Sequence, residues 1–134
     1  MNPPPRSAHH FPRLALGTIR VINGVSALVA PKMLMTRLGV DAANNPAAVY
    51  GLRMFGIRTA LIGLDLLSAD QDIRGRAVRM APLIHGSDTA SAAVAGLRGD
   101  LPRRAAVVAT AISGANLVLA LLAWRAQRAA SRDG

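Results

Sequence analysis

Residues Ala105 to Trp124, AAVVATAISGANLVLALLAW, decide how the chain is built. This run carries no charge and is about 20 residues long, the length at which a helix crosses a hydrocarbon core of roughly 30 Å. Arg103 and Arg104 precede it, and Trp124 with Arg125 closes it. Cations in the headgroup region and an indole at the boundary are the expected ends of a membrane span. A buried helix of a water-soluble protein seldom combines this length with charges at both ends.

Three further apolar runs lead up to it. They occupy residues 14–31, 47–67 and 77–97, with 105–124 as the fourth. The first ends at Pro31, which cannot continue a helix without kinking it. The second follows Asn44-Asn45-Pro46, a turn signal that also starts a helix. The third is the weakest, holding Arg79, Pro82, His85 and Asp88. Short connections make sequential helices antiparallel neighbours, and no strand-like alternation appears. The expected fold is all-α, an antiparallel four-helix transmembrane bundle over residues 13–125. Residues 1–12 are expected to be a disordered Pro-rich tail, with no cleavable signal sequence, and residues 126–134 a basic tail.

Composition narrows the chemistry. The chain has 134 residues, enough for one domain, and 51% are hydrophobic although it holds only two Phe, one Tyr and one Trp. Hydrophobicity supplied by Ala, Leu, Val and Gly suits helices that pack through small residues. The absence of cysteine excludes thiol catalysis, disulfides and thiolate metal sites. A net charge of +9 would suit nucleic acid, but the cations fall in short clusters between apolar runs and there is little aromatic surface for base stacking. The bilayer is the expected partner and nucleic acid is not. With both termini cytoplasmic, Arg6, Arg13, Arg74, Arg76, Arg79, Arg125, Arg128 and Arg132 lie inside, against Lys32, Arg37, Arg98, Arg103 and Arg104 outside. That bias orients the chain in the cell (inner) membrane.

Centring each run in the bilayer brings its polar residues to one depth: Arg20 and Asn23, Arg58, His85 and Asp88, and Ser113 and Asn116. A central Arg or Asp costs on the order of 2.5–3.5 kcal/mol to insert, so Arg20, Arg58 and Asp88 are expected to face the bundle interior. Asp88 is the expected counter-charge of Arg58, and Asp65 of Arg79 near the inner surface, while Arg53 snorkels toward the outer one. Small residues line the same faces: Gly17, Gly24 and Ala27 beside Arg20, Gly56, Thr59 and Gly63 on the second run, and Ala109 and Ala120 on the fourth.

His85 and Asp88, at i and i+3, are the candidate catalytic residues, able to act as a general acid–base pair or proton relay; the competing reading is a structural layer that fixes helix register. Two ligands do not make a metal site, no cofactor motif is present, and neither Ser87 nor Ser113 sits in a nucleophile elbow. Arg20, Arg53 and Arg58 outnumber Asp65 and Asp88, which invites an anionic or amphiphilic small molecule. Glycine-rich faces invite a homo-oligomer or a membrane partner protein. His9 and His10, in the tail, carry no expected role.

The start Arg20-x-x-Asn23-Gly24, the loop Leu38-Gly39-Val40 and the doubled Gly-x-Arg of Gly51–Arg53 and Gly56–Arg58 resemble the small four-span bacterial membrane proteins of DoxX-like layout. The resemblance covers most of residues 14–124 and implies the four-span fold; it brings no catalytic residues. The expected function is a ligand-binding or partner-binding membrane subunit, and the alternative an intramembrane enzyme or proton-coupled carrier using His85 and Asp88.

Overall fold

The computed structural model describes residues 10–132, which form five helices and no strand: α1 (Phe11–Val29), α2 (Pro31–Arg37), α3 (Pro46–Leu67), α4 (Gln71–Arg98) and α5 (Arg103–Ala130). Prolines punctuate the chain. Pro12, Pro31 and Pro46 each sit in a first turn, where a missing N–H and a fixed φ do no harm. Asp70 caps α4 by accepting from the Asp72 and Ile73 amides, and Gly99 ends that helix at φ 75°, a left-handed conformation suited to glycine.

α3 and α5 are each long and apolar enough to cross a membrane, and α1 with α2 pass the same test together. The first run differs from its expected form. It stops at Val29, and the chain turns by 102° into the separate helix α2, because Pro31 has no amide to donate to the preceding turn. The expected third span, 77–97, lies within α4, which fails the test. His85, Ser87, Asp88, Thr89 and Ser91 crowd its middle and Arg74, Arg76 and Arg79 its start. The basic tail is also shorter than expected, since α5 runs on to Ala130. Of the Pro-rich tail, residues 1–9 lie outside the described residues, while Phe11 and Pro12 already belong to α1.

The helices associate as two close pairs, α1 with α3 and α4 with α5, joined by narrower contacts of α1 with α5 and α3 with α4. Glycines make the first pair. Gly17 lies against Gly63 and Gly24 against Gly56, so α1 and α3 run in opposite directions. A Cβ on Gly24 would sit 2.6 Å from the Gly56 carbonyl oxygen, and one on Gly56 2.7 Å from the Leu28 amide. Backbone thus touches backbone, an approach that only glycine allows. In the second pair Gly96 meets Ala106 at one end and Gln127 donates to the Gly75 carbonyl (3.4 Å) at the other.

The pairs meet in a core of Leu16, Leu66, Val78, Ala81, Ala120 and Ala123. All six lie toward the end where α1 and α4 begin and α3 and α5 finish, called here the proximal end. Beyond His85, α4 buries no residue at all.

Two outcomes follow from this packing. Gly24→Ala should lower stability by about 1–3 kcal/mol through helix separation, measured by thermal unfolding in detergent. Gly51→Ala, where a Cβ meets open space, should leave stability unchanged or slightly raised. At the distal end, Asp41 accepts from the Ala43 and Asn44 amides and from Asn44 Nδ2 (2.6 Å). The Asn44 side-chain bond, first among these, holds the carboxyl below its ordinary 3.8. A depressed carboxyl stabilises the loop above its unfolded pKa and loses that effect as pH falls through the folded value. Protection of the Ala43 and Asn44 amides from hydrogen exchange, relative to their intrinsic rates, should therefore persist at pH 5 and be lost only below the usual carboxylate range.

Candidate functional site

Arg20 lies on the glycine face of α1 and reaches across the bundle diagonal to α4. It is only 4% exposed, and His85 is completely buried. Arg20 Nη1 stands 3.5 Å from His85 Nδ1 and 3.6 Å from Asp88 Oδ2. Asp88 Oδ2 is in turn 3.9 Å from His85 Nδ1. One turn earlier, Pro82 leaves the α4 backbone one donor short, directly below the layer.

The chemistry of the donors fixes the histidine. A guanidinium has no lone pair to offer, so in the Arg20–His85 bond Nδ1 accepts and the ring proton sits on Nε2. That N–H, like Arg20 Nε, is buried without a hydrogen-bond partner. Two orphaned donors beside one carboxylate make a layer whose polar capacity is only partly satisfied. Asp88 sits at its open edge, with 32% of its side chain exposed. The six-residue core lies on the proximal side of the layer; on its distal side Thr89, Ala92, Asn23 and Ser113 are half-buried, while Gly24, Ala27, Gly56, Ala105 and Ala106 are buried.

The layer assembles Arg20, His85 and Asp88 and places Asn116, 4% exposed, within the buried set. It leaves out Arg58, whose expected pairing with Asp88 is not formed: Arg20 takes that place. Arg58 and Arg53 are both exposed, and Arg58 lies on the face of α3 turned away from α1. The reason is angular. Arg58 follows Gly56 and precedes Ala60 by two residues, about 200° around the helix from each, and both are buried against α1. Asp65 is exposed too, and forms no ion pair with Arg79. It shares a groove with Arg76, while Arg79 lines a separate cleft beside Gln127. Thr59, expected on the small-residue stripe with Gly56 and Gly63, is 2% exposed. Among the described residues no group of three His, Asp or Glu could hold a metal ion.

No protein-family model, curated protein or solved structure matches the chain, and nothing outside its own sequence supports the DoxX-like resemblance.

Removing Asp88 isolates a buried cation, so Asp88→Asn should destabilise by about 1–3 kcal/mol. Replacing both partners, Arg20→Met with Asp88→Ala, should recover most of that loss, because an apolar pair has no desolvation to offset. A double-mutant cycle on thermal unfolding measures both.

Proposed function

We propose that the chain is an integral membrane protein with four antiparallel spans, α1, α3, α4 and α5, and α2 folded back at the distal surface. Its termini lie on the cytoplasmic side of the cell (inner) membrane, where the positive-inside rule puts the arginines of the proximal end. It acts as a binding subunit without catalysis of its own. The Arg20–His85–Asp88 layer joins the two helix pairs, and the outward face of α3 receives a membrane partner.

The observation that carries this reading is Arg58. It stands near the middle of an apolar helix, exposed, and forms no ion pair. A lipid-facing arginine at such depth costs on the order of 2.5–3.5 kcal/mol. An acidic or hydrogen-bonding group on a docked helix would offset that cost. Met54 and Leu61, exposed within about 60° of it around the helix, provide apolar contact beside it. Arg20 is matched by Asp88 in the interior, whereas Arg58 outside it has no ion-pair partner.

Arg58→Leu separates this role from an architectural one. It should leave the thermal stability of the purified protein unchanged or raised, while abolishing site-specific cross-linking from α3 to its partner in intact membranes. A loss of stability as large as that of Asp88→Asn would mean that Arg58 is part of the bundle interior, and the reading would fall.

A second reading, a proton-coupled carrier or intramembrane enzyme, is favoured by one feature: Asp88 Oδ2, partly exposed, lies within 4 Å of both a guanidinium and an imidazole nitrogen. On that reading protonation of His85 at Nδ1 breaks its bond to Arg20 and turns it toward Asp88. His85→Ala would then fold normally and abolish the cellular phenotype.

A further inference from the structure

The proximal end holds a cleft unconnected with the layer. The beginnings of α1 and α4 and the end of α5 enclose about 410 Å³, with Arg13, Arg74 and Arg79 on its walls. A second hollow of about 560 Å³ adjoins it through Arg79, Gln127 and Ser131 and adds Arg128. Asp72 also lines the first, but it forms no ion pair with any of these arginines. Among the described residues the ion pairs all belong to the Arg20 layer. With one carboxylate against three guanidinium groups on its walls, the cleft keeps a net positive charge that an entering anion offsets.

Two of these arginines are held in place. Arg13 Nη1 donates to the Leu66 carbonyl at 2.6 Å, and Arg74 Nη1 donates to those of Ser68 and Ala69 at 2.9 and 3.0 Å. Carbonyls fix the position of a guanidinium without neutralising it, and each bond engages a single nitrogen of the fork. The remaining N–H groups stay available for a planar or tetrahedral oxyanion, which arginine recognises through paired donors. Beside the cleft, the Arg128 guanidinium stacks 4.8 Å from the centre of the Trp124 ring. A half-buried indole next to a cation marks the depth of the headgroup boundary.

We propose that this cleft binds the phosphate group of an anionic membrane lipid. Arg13, Arg74 and Arg79 hold the phosphate oxygens, and Trp124 lies at the level of the glycerol backbone. Basic clefts between helices at a membrane surface recognise headgroups by this charge and geometry. A freely dissolved phosphate offers the same oxygens. The position at the end of the spans and the adjoining indole favour the lipid. The inference is independent of what docks on α3.

The test uses the full chain in a mild detergent. Thermal unfolding is followed with phosphatidylglycerol, with phosphatidylcholine and with inorganic phosphate, for wild type and two variants of equal charge. Arg79→Gln with Arg128→Gln alters the cleft at exposed side chains, and Arg98→Gln with Arg104→Gln removes the same charge at the distal end. Phosphatidylglycerol should raise Tm by about 5 °C, with phosphatidylcholine inert. The first variant should lose most of that rise and the second should keep it. A saturable rise with inorganic phosphate, lost in the same variant, would support a phosphate site filled from solution instead. Equal shifts with both lipids, or equal losses in both variants, would overturn the proposal. If the cleft variant does not fold, native mass spectrometry of wild type from an equimolar lipid mixture decides: preferential retention of phosphatidylglycerol supports the site, and indifferent retention overturns it.

Discussion

The close approach of α1 and α3 through their glycines governs the rest of the molecule. Gly17 with Gly63 and Gly24 with Gly56 bring two backbones together at two points seven residues apart on each helix. That contact leaves neither helix free to rotate. On α1 the glycines stand on either side of Arg20, so the arginine shares their face and is carried into the interior. On α3 the same constraint turns Arg58 outward, because it lies half a turn from Gly56 and Ala60. One packing motif therefore decides which arginine is buried and paired, and which is left exposed.

Much of this is legible in the sequence. Apolar runs and prolines mark the helices and the break at Pro31, and equal depth along the runs brings Arg20 to the level of His85 and Asp88. Arg58 departs from its expected pairing because depth and charge leave rotation about the helix axis undetermined. Hydropathy says how deep a residue lies but not which way it points. The stripe of Gly56, Thr59 and Gly63 already held the answer, since a helix buries one face and Arg58 lies opposite that stripe. The proximal cleft was not legible for a different reason. Its arginines come from α1 and α4, with Gln127 from α5, and only the folded arrangement brings these ends around one space.

The interior layer and the outer face of α3 pose opposite electrostatic problems. Inside, one cation meets one carboxylate, and what is unsatisfied is a pair of donors, Arg20 Nε and His85 Nε2. Such a layer resists slippage of one helix pair past the other, since displacement separates a buried charge from its counter-charge. Outside, on α3, charge itself is unmatched. Arg58 forms no ion pair among the described residues, and this contrast is what motivates the proposal that the interior is architecture and the face a place of binding.

The helix α4 is the weak point of a four-span arrangement, because composition alone disqualifies it. Composition, however, counts every hydroxyl and charge as if it faced lipid unsatisfied. In α4 the Ser87 hydroxyl donates to the Ile84 carbonyl (2.8 Å) and the Thr89 hydroxyl to the His85 carbonyl (2.6 Å). Such bonds return side-chain donors to the helix's own backbone. His85 is fully buried and Asp88 is paired with Arg20. The polar groups that lower the apolarity of α4 are thus largely answered within the fold, and this supports the proposal that α4 crosses the bilayer with the others. The cations of its first three turns, Arg74, Arg76 and Arg79, then sit at the surface, where the same helix helps to build the cleft proposed for a lipid phosphate.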